Sequence, residues 1–155
     1  MEILRVSDEE IDHNTSKWLL EYAHIVGCDR FSVDIEDKEP EFAIEYQRKL
    51  LAKLEQYYLG EAVAEIFVMY NGEPNIRRQK FWTFNRDSLH VISENMGDHL
   101  LDDLLACNEG VSGWRFYKKD KIVACAVYGF DYFYFSNPPT ELVEKLGPKA
   151  TLEHT

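Results

Sequence analysis

His99 and Asp103 stand four residues apart, with Asp102 beside them and Cys107 eight residues beyond the histidine. On a helix a carboxylate at that spacing can orient an imidazole as a general base, and a nearby thiol would then be a nucleophile. Eight residues, however, are about 12 Å of helical rise, so His99 and Cys107 would not touch. The pair is read as an i,i+4 contact on an exposed helix face, and no residue is assigned a catalytic role. His24 and Cys28 repeat the spacing, with His13 three turns earlier. Gly27 interrupts the helix between them, and a histidine near a helix C-terminus interacts favourably with the dipole without a metal.

The carboxylates from Asp34 through Glu36, Asp37 and Glu39 to Glu41 are spaced superficially like a calcium loop, but the sixth position holds Glu39 where such a loop needs glycine. The three cysteines, Cys28, Cys107 and Cys125, form no C-x-x-C pair and have no histidine at finger spacing. Neither a metal nor a cofactor is expected.

Side chains suited to contact are more prominent. Arg77, Arg78 and Lys80 precede Phe81 and Trp82, and Lys118, Lys119 and Lys121 repeat the sign. Base beside aromatic is the mixture used for single-stranded nucleic acid, but lysine and arginine also protect strand edges and hairpin tips. A formal charge of −11 repels phosphate at long range, which disfavours nucleic acid and anionic membranes. Residues 1–60 hold 14 acids against seven bases, and 81–113 hold six against one. A basic protein is the natural complement of such a chain.

Two sets of residues follow. A protein interface is expected at Asp34, Glu36, Asp37, Glu41, Glu45, Asp98, Asp102 and Asp103, rimmed by Tyr132 and Tyr134, since tyrosine offers rigid area with a hydroxyl. The alternative is a ligand pocket in the sheet, lined by Trp82, Trp114 and Tyr128 with His90 or His99 as acid–base candidate. The leading expectation is a binding or inhibitor module for a basic partner. Immunity proteins and nucleic-acid mimics share this charge chemistry, but no motif joins the chain to them. A homodimer through a strand edge is a further option.

Elements must position these groups. Between Trp114 and Phe135 lie nine of the 21 aromatic residues, interrupted by the basic turn at Lys118–Lys121, which reads as strands 113–118, 121–128 and 131–135. Ile122, Ala124 and Ala126 share one face of the second of these strands, and the two alanines are small enough to leave room for a helix above them. Ser7 and Glu10 match a capping box, predicting a helix from Asp8 to Gly27. Phe31, Val33 and Ile35 alternate as a strand, and Pro40 to Gly60 is the most regular helical run. Residues 62–70 and 79–84 suggest a hairpin through Asn71-Gly72, Leu89–Ser93 a strand, Asp98–Cys107 a short helix, and Pro139–Leu146 a last helix.

The class is therefore α+β: an antiparallel, strongly aromatic sheet with two longer helices in the N-terminal half and one or two short ones, all on one face. One domain over 1–147 and a frayed tail over 148–155 are expected. At 155 residues such a domain buries roughly two thirds of its unfolded surface and needs no disulfide. Unpaired cysteines, the absence of a basic-then-apolar leader and the lack of any 18-residue apolar run point to a cytoplasmic protein.

Overall fold

The computed structural model describes residues 1–35, 41–66, 76–96, 111–126 and 132–154; for Ile35, residues 41–47 and residues 111–112 it describes the backbone alone. Eight strands form one antiparallel sheet: β1 (Glu2–Ser7), β2 (Arg30–Ile35), β3 (Tyr58–Glu65), β4 (Ile76–Thr83), β5 (Val111–Lys118), β6 (Lys121–Ala126), β7 (Tyr132–Ser136) and β8 (Ala150–His154). Their order across the sheet is β3-β4-β2-β5-β6-β7-β1-β8. Helices α1 (His13–Ile25), α2 (Glu41–Leu54), α3 (Arg86–Asn95) and α4 (Thr140–Leu146) pack on one face, giving the expected α+β class.

Register explains why that face is the core. Cross-strand partners share a face, and one row runs Tyr58, Trp82, Phe31, Phe116, Ala124, Phe135, Leu4 and Leu152 through all eight strands. Phe31 is its hub, stacked on Trp82 at 5.7 Å and meeting Trp114, Phe116 and Phe84 each at 6.2 Å. Such ring pairs contribute about 0.5–1.5 kcal/mol each beyond their burial. Above the two small residues of β6, Ala124 and Ala126, the sheet accommodates α1, whose Leu19, Leu20 and Ala23 are fully buried. Gly27 ends this helix at φ +101°, in the left-handed region where a side chain is strained.

The opposite face is closed differently. The β3–β4 hairpin curls over it, so that Ala64 packs with Phe81, Tyr117, Ile122 and Cys125 in a second, smaller apolar cluster. Ile122, expected beside Ala124, belongs to this cluster because a register shift after Phe116 pairs it with Tyr117.

Five expectations are corrected. Ser7 ends a strand and caps no helix: its carbonyl accepts from the Glu10 and Ile11 N–H groups in a turn, and α1 begins after Asp12, whose Oδ1 accepts from Thr15 N at 2.7 Å. Two capping signals lie five residues apart, and pairing of β1 with β7 and β8 selects the second. Leu89–Ser93 is the middle of α3. Asn85 and Ser88 bond each other's backbone there in a reciprocal cap, placing Leu89, Ile92 and Met96 along one buried stripe. Helix α2 stops at Leu54, and after one turn of 3-10 helix Tyr58 opens β3. The tail is not frayed over its length, since Ala150–His154 pair with Glu2–Val6. Alternation places Leu152 opposite Leu4, which gives the strand an apolar anchor. The fifth is the face of Ile122. The predicted helix over Asp98–Cys107 and the Asn71-Gly72 turn lie outside the described residues.

Candidate binding groove

Where α2 ends, the chain turns into the edge strand of the sheet without crossing it, and the last turns of the helix lean over the β3–β4 hairpin. The gap between them is a groove of about 720 Å³ lined by Arg48, Leu51, Ala52, Glu55, Tyr58, Lys80 and Trp82. Leu51 and Ala52 form one wall, while Tyr58 lies against Trp82 with ring centroids 5.5 Å apart. That volume is in the range of small-molecule and side-chain pockets, with an apolar lining and a few charges at its rim.

The two strands beside the groove also carry exposed apolar side chains. Tyr58 is 45% exposed, Leu59 60%, Val63 61% and Ile76 58%, and these are four of the seven exposed large hydrophobic side chains among the described residues. All four lie on β3 and β4, and β3 is terminal in the sheet. Not all of this edge is open. The Tyr117 hydroxyl donates to the Glu65 carbonyl, and Arg115 Nε donates to the Ile66 carbonyl at 2.8 Å. Among the described residues, the stretch with no such side-chain cap runs from Leu59 to Val63.

Arg115 explains how the hairpin is held. It is 2% exposed, and its Nη1 donates to Asp34 Oδ1 at 2.9 Å and to the Gly113 carbonyl at 3.0 Å. The same Asp34 oxygen accepts from Arg77 Nη2 at 2.9 Å. Gly113, at φ +68°, has no room for a side chain, because a Cβ would overlap the Asp34 carboxyl and crowd Arg115. One carboxylate and two carbonyls thus satisfy a buried guanidinium, as burial of a charge demands.

The expected sites distribute as follows. Asp34, read as part of an acidic interface, is instead only 28% exposed and neutralised by two arginines. Glu41 and Glu45 fall in the first half of α2; Glu36, Asp37, Asp98, Asp102 and Asp103 lie outside the described residues. Tyr132 and Tyr134 flank Arg5, whose guanidinium carbon sits 5.7 and 5.5 Å from their ring centroids and which also pairs with Glu153. Of the pocket set, Trp82 reaches the groove, Trp114 is wholly buried in the core, and His90 is exposed on α3. His99 and Tyr128 lie outside the described residues.

The basic run divides. Strand alternation sends Arg77 to Asp34 on one face, while Arg78 pairs with Glu61 at 2.6 Å on the other, beside Lys80. That ion pair lowers the Glu61 carboxyl below its ordinary range. The Lys118–Lys121 turn is also occupied, with Lys121 on Glu65 at 3.1 Å and Arg30 on Asp120 at 2.9 Å. Among the described residues no group of three or more histidine, cysteine or acidic side chains is arranged to hold a metal, and no helix is long and apolar enough to cross a membrane.

Arg48 had no place in the sequence reading. A carboxylate does lie one turn before it, Glu45 at i−3, so its sequence neighbours gave no sign that it lines a groove. No family model, no curated protein and no solved structure matches this chain.

Proposed function

We propose that this protein is a binding module whose docking surface is the β3–β4 hairpin with the groove beside α2. One observation carries the reading: exposed large apolar side chains are concentrated on that hairpin, and a contiguous exposed apolar patch on a folded domain marks an interaction site more often than chance. Next to it, Tyr58 and Trp82 supply the aromatic edge that binding hot spots favour.

Site-specific photo-crosslinking tests this directly. A benzophenone amino acid placed at Leu59, Val63 or Ile76 in the cells that make the protein should yield one shared adduct. The same probe at Ile25, 63% exposed at the far end of α1, should not. Adducts that are equal at Ile25, or absent at all three hairpin positions, would refute the assignment.

The second reading is docking of an acidic surface onto a basic protein. In its favour, Asp8, Glu9 and Glu10 are all exposed in one turn, with no ion pair among the described residues. Association that does not weaken between low and high salt would exclude it.

A further inference from the structure

Six of the seven arginines are held by carboxylates: Arg5 by Glu153, Arg30 by Asp120, Arg77 and Arg115 by Asp34, Arg78 by Glu61 and Arg86 by Glu21. Arg48 is the exception among the described residues, and it lines the groove. Lys80, the second cation of the lining, makes no ion pair of its own there, because Glu61 opposite it is engaged by Arg78. One acid, Glu55, lines the groove with these two bases, beside the apolar Leu51, Ala52 and Trp82. In a chain of formal charge −11, this apolar-lined concavity is therefore also locally cationic.

We infer that the occupant of the groove is an acidic, aliphatic segment of a partner protein, bound in extended form along Leu59–Val63. The inference rests on the docking surface proposed above and names the chemistry of what it takes. An arginine with no ion pair among the described residues, at the rim of an apolar cavity, can take a carboxylate from outside, and an apolar side chain fills the floor. An edge strand offers main-chain groups in addition, at the stretch that Tyr117 and Arg115 leave uncapped. Overall repulsion between acidic molecules slows encounter and makes the complex dependent on the two cations.

The test uses the full chain and three acetylated, amidated octapeptides: alternating Asp and Leu, alternating Lys and Leu, and alternating Asp and Ser. Calorimetry should detect the Asp/Leu peptide alone, with amide shifts confined to the C-terminal half of α2, β3 and β4. Arg48→Glu/Lys80→Glu should weaken it at least about tenfold, because charge complementarity turns into repulsion. Both side chains are exposed, so the double variant should still fold, its thermal melt lowered only slightly by the like charges that Lys80→Glu sets opposite Glu61. Equal binding of the Lys/Leu peptide, or Asp/Leu binding indifferent to the charge reversal, overturns the inference. If no Asp/Leu binding is seen while crosslinking at Val63 persists, the hairpin docks a partner of other chemistry; if crosslinking fails as well, the docking surface itself is wrong.

Discussion

Replacing Arg115 by methionine removes a side chain that joins β2, β5 and the residue after β3. Three hydrogen bonds are lost, and methionine fills most of the volume without supplying a donor. The carbonyls of Ile66 and Gly113 are left without that partner, at a cost of about 1–3 kcal/mol for each buried group left unsatisfied. Asp34 contributes less, because it is 28% exposed and keeps Arg77 at 2.9 Å. The net loss works out at about 3 kcal/mol, below the upper end expected for breaking a fully buried pair. With a urea slope of about 2 kcal/mol/M for a domain of this size, the midpoint of unfolding should fall by about 1.5 M. The transition is followed by tryptophan fluorescence, since Trp82 and Trp114 are buried in the folded chain. Adding Asp34→Asn to the variant should cost less than the two single losses together, as residues of one network couple. A midpoint that moves by less than about 0.3 M would show that this network does not hold the hairpin, and the account of the curled sheet would fail with it.

Three other outcomes are expected. Asp12, whose carboxyl is lowered to about 2 mainly by its hydrogen bonds from Thr15, caps α1, and Asp12→Ala should cost about 1 kcal/mol at neutral pH. A depressed carboxylate stabilises above its unfolded value of 3.8 and loses that contribution as pH falls towards 2. Wild type and variant should therefore converge in melting temperature across that window, and a constant gap would contradict the capping role. Burial pushes the Cys28 thiol up to about 12, so iodoacetamide at pH 8 should modify it only through unfolding; labelling within minutes in the native state would disprove its burial. Because its folded value lies above its unfolded one, Cys28 also favours the folded chain below pH 9 and withdraws that support as pH rises from 9 towards 12. Ala124→Leu places three further carbons beneath the helix layer and should destabilise by about 1–3 kcal/mol in urea titration, whereas no change would mean that α1 does not lie close over β6.

The strands of the second half were legible because their side chains report both faces: Trp114, Phe116, Phe133 and Phe135 alternate with residues of another environment. The two alanines of β6 anticipated α1 for the same steric reason. Local signals misled where tertiary pairing decided between them. Ser7 and Glu10 form a genuine capping pattern, yet β1 has partners more than 125 residues away, which no local window contains. Leu89–Ser93 is too short for its period to separate strand from helix, and Asn85 settles the matter only when read together with Ser88. The acidic interface was drawn by counting charge along the chain, and counting cannot see that Arg77 and Arg115 both turn onto Asp34. Arg48 escaped notice because a base beside Lys49, with Glu45 three residues earlier, looks ordinary until the groove it lines is seen.

The strand at the N-terminus is hydrogen-bonded on both sides to the last quarter of the chain, with Ile3 opposite Ser136 and Glu153. During synthesis those six residues emerge long before the partners they pair with, so β1 can take its place between β7 and β8 only once residues 132–154 have followed. Closing so long a loop is entropically costly, and topologies built on distant pairings fold slowly. Until then Leu4 and Val6, buried in the finished fold, remain an unpaired apolar ribbon open to chaperones and to misassociation between nascent chains.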